Sequence, residues 1–228
     1  MIENTFFDEI LNITLLSLRV SGTAVLIGAL IGVPIGMVLG LGRFRGKKML
    51  IRFVDITLRS IVNTFMGLPP VVVGLVVYLL LTTSGPLGSL RLLYTPNAMI
   101  ITQLIMAVPI ITGVTMSAVG SVEKGIRERA LSLGATDGQA AWMVLREARM
   151  GVLTAIIVAF GAAISEVGGI MLAGGNIRWV TRTLTTAIVV ETNLGNFDLA
   201  ISLGAILLSL AFIINLVLTI IQLRGAKR

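Results

Sequence analysis

The sequence predicts an all-α integral membrane protein with five transmembrane helices, kinked inner helices, the N-terminus outside and the C-terminus inside. Three observations predict it. Of 228 residues, 56% are apolar and 13% charged, with a mean hydropathy of +0.99; soluble domains carry about a quarter charged residues. Five apolar stretches, about 18–41, 57–82, 97–120, 150–173 and 197–222, each reach the ~20 residues that a spanning helix needs. Lys and Arg gather in alternate connections, which sets the orientation. Arg43, Arg45, Lys47, Lys48 and Arg52, then Lys124, Arg127, Arg129, Arg146 and Arg149, then Arg224, Lys227 and Arg228 make 13 of the 18 basic residues on one side. The opposite connections hold Arg91, Arg178 and Arg182.

Composition also excludes chemistries. The chain has no Cys and no His, which removes disulfides, thiol redox reactions, Cys/His zinc sites, His-ligated haem and any Ser-His or Cys-His catalytic pair. The net charge of +7 reads as membrane topology, not as a nucleic-acid surface. The opening "MIENTFFDEI" is acidic and lacks a basic n-region, so residues 1–12 are expected as an extracytoplasmic segment without a cleaved signal peptide. No linker separates soluble domains; one membrane domain spans 13–222, followed by a cytoplasmic tail, 223–228.

In span one, whose apolar run starts as early as Ile13, "IGALIGVPIGMVLG" places Gly28, Gly32, Gly36 and Gly40 four apart on one helix face. Such a row lets another backbone approach closely, from within the chain or from a second copy; membrane composition alone is the plainer alternative. Span one also carries Pro34, span two the pair Pro69–Pro70 in "FMGLPPVVVGL", and span three Pro109. Each proline removes a helical hydrogen bond and kinks its helix, and broken backbone at membrane depth must be satisfied by protein or by a water-filled cavity. Span three further carries Thr102, Gln103, Thr112, Thr115 and Ser117, hydroxyl and amide donors that line a polar path or bond their own helix.

Between spans three and four, "RERALSLGATDGQAAWMVLREARM" (127–150) has helical spacing interrupted by Gly134 and Gly138. It reads as helix, glycine-permitted turn, helix, with charges on show to the cytoplasm. Span four holds Glu166, an intramembrane acid that costs about 2.5–3.5 kcal/mol or more at the bilayer centre. Its alternatives are substrate handling or a buried contact to Arg178, Arg182 or Arg19. Gly161, Ser165 and Gly169 mark span four as an inner helix. Beyond it, "RTLTTAIVVETN" is too short to cross and is expected as an interfacial or re-entrant helix.

No phosphate-binding loop is present: "GLGRFRGKK" has Leu41 where the first glycine belongs and Lys48 where the hydroxyl belongs. With no nucleotide-binding or catalytic motif, the chain is not expected to be an enzyme. "ERALSLGATDGQAAWMV" resembles the Glu-Ala-Ala-x3-Gly-x9-Ile-x-Leu-Pro loop of ABC importer permeases. Glu128 takes the Glu position, Arg129 replaces the first Ala, Ala130 is the second, Gly134 falls at the Gly and Val144 at the Ile. Leu-Pro would fall at Arg146 and Glu147; the "LREAR" ending is similar to the tungstate-type permeases. "LRVSGTAVLIGALIGVPIGMVLG", "GLPPVVVGLVVYLLL" and "SEVGGIMLAGGNI" with "TRTLTTAIVVET" extend the likeness to molybdate, tungstate and sulfate permeases over most of the chain.

The resemblance implies a type I ABC importer core in the cytoplasmic membrane of a prokaryote. Residues 121–149 become its coupling loop, with a short coupling helix at about Ala130–Gly138. Glu128, Ala130, Gly134, Ala135, Thr136, Asp137 and Gly138 are the implied contacts to an ATPase subunit. The implied partners are a second copy of the chain, two ATPase subunits that bind ATP and Mg, and an extracytoplasmic oxyanion-binding protein. No cofactor is expected in this chain.

Tungstate is the expected cargo, with molybdate or sulfate as alternatives. Arg178 and Arg182 would attract the anion at the outer mouth, and Pro69, Pro70, Thr102, Gln103, Pro109, Thr112, Thr115, Ser117 and Glu166 are the pathway and gate candidates. Because a carboxylate repels a dianion, Glu166 suits bracing a gate better than binding cargo. The rival class is a secondary transporter or channel subunit, which usually shows an internal repeat and a relay of ionisable groups. Here Glu166 stands nearly alone and five spans do not divide into halves.

Overall fold

In hydrocarbon a single segment can satisfy its own backbone only as a helix, and the apolar stretches fold accordingly. A computed structural model describes residues 2–42, 49–122 and 124–226, and the side chains of 7–42, 53–122 and 125–223. Arg43, Arg45, Lys47, Lys48, Lys227 and Arg228 lie outside the described residues. The described residues form ten α-helices and one 3-10 turn, with no strand.

Helix α1, Ile2–Gly40, runs 39 residues without interruption and carries Pro34 within it. At 1.5 Å per residue it is about 58 Å long, so the expected N-terminal segment 1–12 is continuous with the first span. No glycine or proline occurs before Gly22 to stop it. The second span is not one kinked helix: α2 (Met49–Met66) ends and α3 (Pro70–Leu81) begins across Gly67–Pro69. Two adjacent prolines remove two donors and force the preceding residue out of the helical region; Pro69 is extended (φ −63°, ψ 125°), and Pro70 takes the first helical position. A 3-10 turn, Gly88–Leu90, leads to α4 (Pro96–Ser121), which continues through Pro109.

Helices α5 (Lys124–Ser132) and α6 (Asp137–Glu147) follow, then α7 (Arg149–Ile164) and α8 (Gly168–Gly174). The fourth span is thus also two helices, broken at 165–167. The short helix expected beyond it is α9 (Leu184–Asn193), and α10 (Phe197–Ala226) closes the chain. By length and composition, Phe7–Gly40, Pro96–Ser121 and Phe197–Leu223 can cross a membrane unaided, and up to five spans result if two bent pairs, Phe53–Met66 with Pro70–Leu81 and Asp137–Glu147 with Arg149–Ile164, each count as one.

The chain divides into two compact units. The first comprises residues 1–27, 68–107 and 160–217. In it α3 packs on α8 with the Gly74 and Gly169 backbones in direct contact, and Val73, Val77 and Leu81 close on Ala98 and Ala173. Ile13, Leu184, Ala187 and Leu203 form a second cluster, which holds α9 between α1 and α10. The second unit comprises residues 28–67, 108–159 and 218–228. There the α1 glycine row meets α4: a Cβ on Gly32 would lie 3.0 Å from Ile111, on Gly36 2.6 Å from the Thr112 carbonyl, and on Gly40 2.7 Å from Val119. Gly28 is buried. Gly32, Gly36 and Gly40 therefore mark a helix contact made within this chain. Val119, Val144 and Ala148 join α4 to the α6–α7 junction.

Candidate functional site

Breaking a helix at membrane depth leaves carbonyls and amides that must find partners. At the α7–α8 break three side chains supply them. Glu166 accepts from the Gly169 amide at Oε1 (2.8 Å) and from the Ile170 amide at Oε2 (2.9 Å), capping α8. Gln103 Nε2, from α4, donates to the Ala163 carbonyl at 2.7 Å, and the Thr185 hydroxyl, from α9, donates to the Glu166 carbonyl at 2.8 Å. All three side chains are buried. The acid that sequence alone matched with Arg19, Arg178 or Arg182 is held by backbone amides of its own helix, because it stands three and four residues before two amides that the break exposes.

The α2–α3 break adjoins this one through α3. A Cβ on Gly169 would lie 2.7 Å from the Pro70 carbonyl and 3.0 Å from Thr102 Cγ2. Pro70, Thr102 and Glu166, distant in sequence, thus converge on Gly169, and Gln103 reaches the same break. Thr102 bonds its own helix at the Ala98 carbonyl (2.8 Å). Thr112 and Thr115 are buried beside Gly36, their hydroxyls without a partner. Pro109 is buried, whereas Pro69, Pro70 and Ser117 are exposed.

The two arginines expected at the outer mouth are paired. Arg178 grips Glu9 with both Nε (2.7 Å) and Nη2, while Arg182 Nη1 stands 3.5 Å from Glu9 and 3.2 Å from Glu191. Asn196 Nδ2 donates to the other Glu191 oxygen at 2.9 Å. The Glu9 carboxylate raises the affinity of the Arg178 guanidinium for its proton. Two cations and two anions cancel, so the attraction expected at the outer mouth is offset locally. Glu9 and Glu191 are not among the expected site residues; Glu9 stands beside Asp8 in the acidic opening, and Glu191 is the one acid of "RTLTTAIVVETN". The cluster walls a cavity of about 360 Å³ whose lining includes Ile13, Leu199 and Leu203.

On the polar segment, the helix expected over Ala130–Gly138 is two helix ends and a turn. Gly134 sits at φ +86°, where an L side chain is disfavoured. Its amide bonds the Leu131 carbonyl (3.0 Å) and that of Ala135 the Ala130 carbonyl (3.1 Å), the paired closure of a Schellman motif. Thr136 then caps α6: its Oγ1 accepts from the Gln139 amide and the Gln139 side chain accepts from the Thr136 amide. Arg127 bonds Asp137 at 2.6 Å across the turn. Glu128, Gly134, Thr136, Asp137 and Gly138 are exposed, Ala135 is half-buried, and Ala130 is buried. Leu133, at the tip and outside the expected contact set, is 87% exposed.

Several known proteins resemble this chain. The family described as "Binding-protein-dependent transport system inner membrane component" matches residues 32–228. A "Probable anion ABC transporter permease protein" of Haloferax volcanii is 46% identical over 211 residues, 90% of this chain and 88% of the relative. The "Tungstate uptake system permease protein TupB" of Peptoclostridium acidaminophilum is 36% identical over 218 residues, 96% and 92% of the two chains. Among solved structures, an inward-facing MetNI methionine ABC transporter shares the fold, with a TM-score of 0.79 at 19% identity over 97% of this chain and 98% of that one. This chain belongs to the binding-protein-dependent transport system inner membrane component family and is a multi-pass permease subunit of an ABC importer.

Proposed function

We propose that this permease imports tungstate as a homodimer, each copy seating its α5–α6 tip in a groove of an ATPase subunit. The observation that carries the coupling half is the rigid turn Leu133–Thr136, closed by Gly134 and capped by Thr136. It stands in the segment that also carries Lys124, Arg127, Arg129, Arg146 and Arg149, the basic content of a cytoplasmic connection. On this reading the N-terminus is outside and the C-terminus inside, with 13–222 as the transmembrane domain. Glu128, Ala135, Thr136, Asp137 and Gly138 contact the ATPase around the turn, and Ala130 holds α5 against α6 behind it.

Cargo follows from the relatives. The Peptoclostridium protein and a second TupB, of Campylobacter jejuni at 35% identity over 160 residues, are tungstate uptake permeases by name. An extracytoplasmic binding protein selects the oxyanion and delivers it to a path between the two copies. ATP and Mg are bound by the ATPase, whose closure drives alternating access. The α3 and α8 breaks, joined at Gly169 and braced by Glu166, form the gate; Pro69 and Pro70 face the path.

The test is a gentle detergent purification of the subunit from native membranes, with mass spectrometry of what accompanies it. An ATPase and an oxyanion-binding protein are expected, and that binding protein should take tungstate more tightly than molybdate or sulfate. A preference for molybdate reassigns the cargo. Recovery of the subunit with no ATPase in any detergent overturns the importer reading in favour of a secondary transporter.

A further inference from the structure

The cavity of about 360 Å³ beside the Glu9 cluster has no part in the transport roles above. Residues of α1, α9, α10 and the loop after α8 line it, and its lining is of two kinds. Ile10, Ile13, Ala187, Leu199 and Leu203 are apolar, whereas Glu9, Arg178, Arg182, Glu191 and Asn196 are polar or charged. The volume is that of a small-molecule pocket. Water fills such a space poorly, because a water molecule needs two to four polar partners and half of this lining offers none. Position along the helices fixes the surroundings. Asn196 immediately precedes the apolar helix Phe197–Leu223, so the polar lining stands at a membrane surface. Leu203, seven residues further on, lies about 10 Å deeper. Phe7, Leu11, Phe197 and Ile201 on the same two helices are exposed, the apolar surface that a bilayer covers. Leu194 and Arg178 belong to the lining and are exposed themselves, so the cavity is reached from outside the chain.

We propose that this cavity holds one phospholipid of the adjoining leaflet, its headgroup a phosphate joined to a primary ammonium and the upper part of an acyl chain lying on the apolar lining. Charge selects the headgroup. Arg178 uses two of its five N–H donors on Glu9, which leaves donors for a phosphate. Each Glu191 oxygen accepts one bond, from Arg182 at 3.2 Å and from Asn196 at 2.9 Å, so acceptor sites remain on both. Asp8 and Asp198, next to lining residues in sequence, are exposed. Four acids thus stand against two arginines. An anionic headgroup meets that excess unfavourably, and a choline has no N–H to donate; a primary ammonium has three. Bound there, the lipid clamps α1, α9 and α10 together at the membrane surface.

The experiment uses the permease with its ATPase and binding protein, expressed in a host whose membrane contains phosphatidylethanolamine and phosphatidylglycerol. The complex is purified in mild detergent, washed free of bulk lipid, and its remaining phospholipid extracted and counted. About one molecule per permease copy is expected, enriched about threefold in primary-amine headgroups over the host membrane. Leu199→Trp, which fills the apolar lining, should lower the retained lipid about fivefold, and Ile10→Trp repeats the test from α1 should the first variant not fold. Added back to the washed complex, phosphatidylethanolamine should raise the melting midpoint of the permease. Phosphatidylglycerol and phosphatidylcholine should raise it less, and soluble phosphoethanolamine not at all at the same concentration. No retained lipid, full retention in a folded Trp variant, or equal shifts with the three lipids overturns the proposal. A soluble headgroup as effective as the lipid reassigns the cavity to a free solute and overturns it too. Loss of the ATPase during purification bears on the importer reading alone, because lipid count and melting are read on the permease.

Discussion

Arg178 and Glu9 lie 169 positions apart in sequence and meet in a two-pronged contact between the loop after α8 and the start of α1. Fork-on-fork pairing fixes both partners in orientation as well as distance. Arg182 extends the contact to Glu191, so the loop, α1 and α9 share one charge cluster.

The two arginines should differ when removed. Arg178 is 60% exposed on its side chain, and Arg178→Gln is expected to cost about 1 kcal/mol or less. Arg182 is 16% exposed and serves two carboxylates of similar burial; Arg182→Met is expected to cost about 3 kcal/mol. Thermal unfolding of the two variants in one detergent checks the order, and an Arg178 variant that melts lower than the Arg182 variant contradicts it.

Glu166 as a cap predicts a graded series. Glu166→Gln keeps one acceptor oxygen and should cost about 1–2 kcal/mol, whereas Glu166→Ala leaves two buried amides bare and should cost about 2–4 kcal/mol. Hydrogen exchange at the Gly169 and Ile170 amides is the direct readout. Both should exchange faster in the alanine variant. Unchanged protection there, with transport intact, would remove the bracing role.

At the α1–α4 contact, Gly36→Ala should destabilise by about 1–3 kcal/mol, since its Cβ would fall 2.6 Å from a backbone carbonyl that cannot yield without moving α4. Gly120→Ala is the control: its nearest neighbour would be the Gly40 carbonyl at 3.8 Å. It is expected to be neutral or to gain about 0.5–1 kcal/mol from helix propensity. Equal melting of the two variants would mean the close approach is not where α1 is held.

The turn between α5 and α6 makes a further pair of predictions. Gly134→Ala forces an L side chain into φ +86° and should cost about 1–2 kcal/mol, while Thr136→Ala loses one cap at about 1 kcal/mol. Both should lower stimulated ATP hydrolysis while the spans still insert, which separates lost coupling from lost assembly. An ATPase rate that follows the wild type in both variants would show that the turn is structurally dispensable.

The membrane class, the number of apolar stretches and the helix–glycine–helix form of residues 127–150 were legible in the sequence. Each depends on local composition: a run of ~20 apolar residues has one way to satisfy its backbone in lipid, and a glycine where a helix must stop marks a left-handed turn. The breaks were less so. Three proline sites looked alike, yet Pro34 and Pro109 sit inside continuous helices while Pro69–Pro70 separates two. The break before α8 has no proline at all, and its polar groups are met by Gln103, Glu166 and Thr185 from three parts of the chain. Charge partners were hidden for the same reason. That Arg178 and Arg182 meet Glu9 and Glu191, and that Glu166 meets neither, is decided where the helices pack. Hydrogen bonds and ion pairs act over a few ångströms in space and carry no mark of that proximity in sequence.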